Sequence, residues 1–221
     1  MNHSFDFRVV LLDWPMLLQA TIGTLKMCGA AIAIGLPLGL LLTVLRRFGP
    51  APVRMLTVGV VEFLRISAPI VLIIWFYFAF PILAGVNINA FTAGALAVGI
   101  QAAAFFSEIC RAGINAVDLG QTEAARAIGM RTGALMRHIV LPQALRHMIP
   151  VMLSLVAEIV KATSLVAVIG FGELSYAASR IAADTYRPIE SYTVIAVIYF
   201  LLIFGIGRMA ALLERRLARR M

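Results

Sequence analysis

An all-α membrane protein with five transmembrane helices is the fold this sequence predicts, and three observations predict it. Of its 221 residues 62% are hydrophobic and the mean hydropathy is +0.95, against roughly 45–50% apolar residues in soluble domains. Only 14% are charged, and the charges stand in short clusters between long uncharged runs. One run, Ile66 to Ser107, covers 42 residues without an Asp, Glu, Lys or Arg, which is enough for two crossings of about 20 residues each.

The apolar runs place the spans at about 20–45, 57–80, 90–113, 149–171 and 191–213 within a single membrane domain, 1–221. Met16 to Leu45 would overrun a bilayer, so Val9–Leu18 is expected along the outer surface before the first crossing. Asp6 and Asp13 stand where a signal peptide would be basic, and Met27–Leu45 is too long for its apolar region, so the first span is expected to be retained. The second and third spans share the uncharged run. In the fourth, Glu158 and Lys161 interrupt the apolar stretch; three residues apart on a helix, they share a face and can pair. The fifth is followed by a basic tail.

Net charge is +8, and most of the surplus lies at the ends of apolar runs, where it sets topology rather than a nucleic-acid surface. The loops after spans one and three and the C-terminal tail carry eleven arginines: Arg46, Arg47, Arg54, Arg126, Arg131, Arg137, Arg146, Arg215, Arg216, Arg219 and Arg220. The other side carries three, Arg8, Arg180 and Arg187. The N-terminus is therefore expected to be periplasmic and the C-terminus cytoplasmic, with Trp14 and the Trp75–Phe80 cluster in the outer interfacial belt. Cys28 and Cys110 fall inside apolar segments as packing residues.

Three acids each precede a base by three residues: Glu62 and Arg65, Glu108 and Arg111, Glu158 and Lys161. The first two pairs lie near span ends, where they can snorkel. The third lies near mid-span, followed by Thr163 and Ser164, and points to a polar path or another subunit. Neither lysine follows a glycine, so no phosphate-binding P-loop exists and ATP-driven coupling needs a separate protein. The three histidines lack ligand-spaced partners and no serine stands in a nucleophile-elbow context, so no metal, cofactor or enzyme activity is expected in the chain.

The cytoplasmic connection, about 118–147, is the most informative stretch. Glu123–Ile128 is good helix material that Gly129 can end in a left-handed conformation. A second short helix is expected after Thr132 as N-cap, running to Val140, with Pro142 and Pro150 punctuating the return to the membrane. Ala124, Ala125 and Ile128 form an apolar stripe with no evident burial site within the loop, which points to a partner protein.

Glu123-Ala124-Ala125, Gly129, Ile139 and Leu141-Pro142, at this spacing, resemble the EAA loop of the membrane subunits of bacterial binding-protein-dependent ABC importers. The stretches Phe106–Ile114, Gly120-Gln121, Leu141–Arg146 and Thr163–Leu165 are most similar to the polar amino acid permeases. The resemblance implies a type I importer permease fold and a loop that docks on a cytoplasmic ABC ATPase dimer, which binds ATP and Mg. It also implies a second permease subunit, identical or sister, and a periplasmic amino-acid-binding protein. Glu123, Ala124, Ala125 and Gly129 would dock, with Ile139, Leu141 and Pro142 setting the return. Glu158, Lys161, Thr163 and Ser164 are the candidate substrate-path residues. The chain departs from the family pattern where Pro69 lies one position late after Arg65, and where Ala162 replaces an Asp before Thr163. Two rival readings remain at this stage: an ion- or proton-coupled carrier using Glu158 and Lys161 as its charge relay, and a structural membrane subunit with no path.

Overall fold

The computed structural model describes residues 5–218, with side chains as far as Leu213. Arg219 and Arg220 of the basic tail lie outside the described residues, and Arg215 and Arg216 outside the described side chains. Every regular element among the described residues is a helix.

A single turn, α1 (Arg8–Leu12), precedes α2 (Trp14–Phe48), which starts directly after Asp13 with Pro15 in its first turn. The surface segment expected over Val9–Leu18 is therefore only α1. Proline is tolerated in a first turn because those N–H groups lack intrahelical partners, so Trp14–Leu18 join the spanning helix. At 35 residues α2 is about 52 Å long against a hydrocarbon core of about 30 Å, so it must tilt or project.

The second span, expected over 57–80, is broken in two at Pro69 and reaches from 51 to 84. It is α3 (Ala51–Ile66) and α4 (Pro69–Ile74), with α4 running through a π-helical turn (Trp75–Ala79) into α5 (Phe80–Ala84). The two legs meet at 105°. Pro69 excludes helical geometry from the residue before it, and Ser67 and Ala68 are extended. The break frees helix carbonyls, and buried Gln101 caps them: its Nε2 donates to Ser67 O at 2.7 Å and to Leu64 O at 3.2 Å.

The third span, α6 (Ala90–Asn115), begins at Asn89, whose side chain accepts from Thr92 N, and is the centre of the bundle. In its most apolar stretch 67% of residues are buried, against 22% in α2 and 6% in the last helix, whose other faces are left for lipid or another subunit. Small residues make this centrality possible. A Cβ at Gly35 would lie 2.8 Å from Gly99 O, and one at Gly39 would lie 2.6 Å from Phe106 Cβ, so the α2 and α6 backbones are in near-contact. Gly35 meets Gly99 and Gly39 meets Ala103, while Thr43 meets Ser107, so the helices run parallel. The bent pair between them must return the chain across the bilayer, and it counts as one crossing.

The fourth span starts much earlier than expected. From Thr132 to Ile169 the chain is helical throughout: α8 (Thr132–Leu135), a π-helical turn (Met136–Val140), α9 (Leu141–Thr163) and a 3₁₀ turn (Ser164–Ile169). Thr132 is the first helical residue rather than the cap. Pro142 does not interrupt, because it falls in the first turn of α9 just after the wide π-turn, and Pro150 is accommodated inside α9. Gly113 packs on Met148 and Gly94 on Val166, so α9 is antiparallel to α6. After Gly170, at φ 79°, come α10 (Leu174–Thr185) and the fifth span α11 (Pro188–Ala218).

Candidate functional site

Two polar regions stand out, at one end of the bundle and at its middle. At the end, Asp118 Oδ1 accepts from Gly120 N at 2.6 Å and starts α7 (Leu119–Ala127). The stop is a Schellman motif, as expected: Gly129 takes φ 80°, its N–H donates to Arg126 O at 2.9 Å, and Met130 N donates to Ala125 O at 3.1 Å. Gln143 of α9 donates to Gln121 Oε1 at 2.5 Å and to Ile139 O at 3.1 Å, tying α7 to the next span.

The apolar stripe divides. Ala125 is buried in a cluster with Cys110, Val117, Leu135, Val140, Ala144 and Met148, so the chain supplies its own burial site for it. The expectation of no internal burial site fails for Ala125, because α8 and the early start of α9 close over it. Ala124 and Glu123 are exposed and Ile128 is 79% exposed, on the outer side of α7. Ile139 is half-buried, whereas Leu141 and Pro142 are exposed. The seven predicted residues thus divide: Ala125 and, in part, Ile139 are anchored inward, whereas Glu123, Ala124, Gly129, Leu141 and Pro142 are exposed.

At mid-bundle a cleft of about 530 Å³ opens where α3 breaks from α4 and faces α6 and α9. Arg65, Gln101, Glu158, Lys161 and Ser164 supply its polar groups, and Val98, Phe105, Leu155 and Leu165 much of its apolar wall. Glu158 and Lys161 form the expected ion pair and are 64% and 50% exposed. Ser164 Oγ donates to Lys161 O at 2.7 Å. Thr163 does not line the cleft: it is fully buried and its hydroxyl donates to Val160 O at 2.7 Å. Arg65 pairs with Glu62 at 3.1 Å, while its buried Nε has no hydrogen-bond partner among the described residues.

Sequence reasoning missed two polar residues, Gln101 and Glu173, and one partner of Glu108. Gln101 is a long polar side chain inside the 42-residue uncharged run, a signal that was available. Glu108 binds Arg46 of α2 at 2.9 Å as well as Arg111, so this pair bridges helices rather than snorkelling alone. Glu173 is fully buried and caps α10: Oε1 accepts from Tyr176 N at 2.8 Å, and Oε2 accepts from Ser175 N at 2.9 Å and from the Tyr199 hydroxyl at 2.6 Å. Burial pushes the Glu173 carboxyl above the usual carboxylate range, and those donors pull against that shift. Next to it Leu174 N donates to Thr24 Oγ1 at 3.3 Å, joining α2, α10 and α11 at the end opposite α7.

Four helices long and apolar enough to cross a membrane, a bent pair that makes a fifth crossing, a capped loop helix at one end and a polar cleft midway fit a membrane component of a transport system. Residues 35–219 match the family described as binding-protein-dependent transport system inner membrane component, and the chain belongs to that family. It is 31% identical to the arginine transport system permease protein ArtQ of Bacillus subtilis (strain 168), over 97% of this chain and 98% of that protein. To the probable glutamine ABC transporter permease protein GlnM of the same strain it is 34% identical, over 99% of both chains. A crystal structure of an amino acid ABC transporter with histidines superimposes with a TM-score of 0.92 at 34% identity, covering 97% of this chain and 100% of that one. The MetNI methionine ABC transporter, at 22% identity and a TM-score of 0.75, shares the fold.

Proposed function

We propose that this chain is the permease subunit of an ATP-driven amino-acid importer of the bacterial inner membrane, with its N-terminus periplasmic and its C-terminus cytoplasmic. It forms half of the translocation path, opposite an identical or sister permease. A periplasmic binding protein delivers the amino acid, and a cytoplasmic ATPase dimer, holding ATP and Mg, supplies the work. Relatives named for arginine, glutamine, and glutamate and aspartate transport support the substrate class.

The observation that carries the coupling role is the division of α7. Ala125 is locked into the α6–α9 core, whereas Glu123, Ala124 and Ile128 face outward with no partner in the described chain. A push on that outer surface is passed through Ala125 and Gln143 to α9. Glu158 lies 14 residues beyond Ala144 on the same helix, a transmission distance of about 21 Å. Displacing α9 moves Glu158, Lys161 and Ser164 relative to Arg65 and Gln101, which reshapes the cleft. The cleft suits a zwitterion: an ammonium group beside the Glu158 carboxylate and a carboxylate beside the Arg65 guanidinium, with apolar walls beyond.

The test is affinity purification of the tagged chain from its native membrane in mild detergent, beside Gly129→Asp. Open space surrounds Gly129, so the variant acts through its φ of 80°, which a side chain tolerates poorly, and through the added charge at the docking face. A P-loop ATPase should accompany the wild type and be depleted with G129D, while both insert equally. Equal recovery of the ATPase, with normal uptake, would remove the loop from coupling.

A further inference from the structure

A second cleft, of about 540 Å³, lies at the end of the bundle that carries α7, between the last turn of α2, the first turns of α3 and the end of α6. Arg46, Arg47, Arg54 and Arg111 line it, with the hydrogen-bonding side chains of Thr43 and Asn115. Four guanidinium groups meet there, and the carboxylate they touch is Glu108, held by both Arg46 and Arg111. That leaves an excess of three positive charges. Among the described residues Arg47 and Arg54 have no carboxylate partner, and both are exposed.

Part of this charge has a simple structural role, since Arg46 and Arg47 oppose the negative end of the α2 dipole. The dipole does not explain Arg54, which stands in the first turn of α3, where a positive charge is unfavourable. It also does not explain why the arginines converge on one concavity. The lining adds a second observation. Met55, 74% exposed, Val58, 37% exposed, and Ile114 line the cleft among the arginines, so the cationic site carries an apolar wall. The site has the polarity of a phospholipid: an anionic headgroup among guanidinium groups, with acyl chains along an apolar helix surface.

The geometry points to a phosphate-binding cleft at the cytoplasmic membrane edge that holds the phosphodiester headgroup of an anionic phospholipid. The Arg guanidinium suits this chemistry because its planar fork bonds two phosphate oxygens at once. Basic pockets between spans at the cytoplasmic leaflet meet an abundant anionic ligand there. Because the cleft joins the α2–α3 hairpin to α6, a bound headgroup fastens the first two spans to the central helix beside the loop.

The experiment is native mass spectrometry of the full chain, with its co-purifying subunits, released from detergent after exchange with dioleoyl phosphatidylglycerol or dioleoyl phosphatidylcholine. The wild type should retain the phosphatidylglycerol over the phosphatidylcholine by roughly tenfold, and R47Q/R54Q should lose most of that preference. These two substitutions break no ion pair among the described residues; should the double variant still fail to assemble, R54Q alone should lower the preference several-fold. R131Q/R137Q, with arginines removed from the same end but outside the cleft, should retain it. Equal headgroup preference in wild type and R47Q/R54Q overturns the site. Competition by millimolar inorganic phosphate without any lipid preference assigns the cleft to a free anion and overturns the lipid. Loss of a protein subunit from R47Q/R54Q with lipid retention unchanged assigns the arginines to a protein partner and likewise overturns it.

Discussion

Glu158 and Glu173 are fifteen positions apart in the chain, yet the fold treats them in opposite ways. Glu173 is fully buried, and its two oxygens accept from two backbone N–H groups and the Tyr199 hydroxyl. Glu158 is 64% exposed, and its partner is a lysine on its own helix. A buried carboxylate is tolerated only when its lone pairs are filled, so Glu173 is a structural bolt between elements. An exposed carboxylate held by one flexible neighbour retains bonding capacity, so Glu158 is free to meet a substrate or a facing subunit.

Removing the bolt gives the largest expected loss. Glu173→Ala deletes the cap of α10 and strands the half-buried Tyr199 hydroxyl, and should lower stability by about 3 kcal/mol, read as a fall in the thermal transition of the purified subunit. Glu173→Gln should keep part of the cap, and it sharpens the comparison through pH. A carboxyl whose folded pKa is raised contributes stability that is full below its unfolded pKa and is lost as pH rises through the folded value. The wild type should therefore lose stability across the window above the ordinary carboxylate range, and Glu173→Gln should show a flatter profile there. An unchanged slope would mean that Glu173 does not titrate in this window.

Gln101→Leu comes next. It leaves Ser67 O and Leu64 O without their donor at the α3–α4 break and should cost about 2 kcal/mol, measured in the same melts. It should also alter uptake, because the same side chain lines the mid-bundle cleft. Lys161→Ala should cost the least stability, under about 0.5 kcal/mol for a pair this exposed, while shifting the substrate dependence of uptake several-fold. A large loss of stability with unchanged kinetics would place Glu158 and Lys161 beside Glu173 as structural residues.

The same contrast explains what was legible in the sequence. Spans and loop were readable because hydropathy and Gly129 act locally: an apolar run long enough for a bilayer, and a glycine that alone takes φ 80° easily at a helix end. Pro69 signalled a break, but neither its 105° angle nor its capping by Gln101 from another helix is encoded in a local pattern. Nothing local marks Glu173 as buried, because its carboxylate bonds the N–H groups of Ser175 and Tyr176 at the start of α10 and the hydroxyl of Tyr199, 26 residues later. Thr163 was grouped with Ser164 by adjacency, yet successive residues on a helix point about 100° apart, and only Ser164 reaches the cleft. The inward turn of Ala125 was hidden for a similar reason, because it required α8 and α9 to be one continuous helix.

The most direct measurement of the central claim is amino-acid uptake by sealed vesicles containing the purified membrane complex, with ATP enclosed, the cognate binding protein outside and a proton uncoupler present. Uptake should require both ATP and binding protein, continue with the uncoupler, and disappear in vesicles made with Gly129→Asp. Uptake that proceeds without ATP, follows an imposed ion gradient and collapses with the uncoupler would contradict the account, and would make Glu158 and Lys161 the charge relay of a self-sufficient carrier.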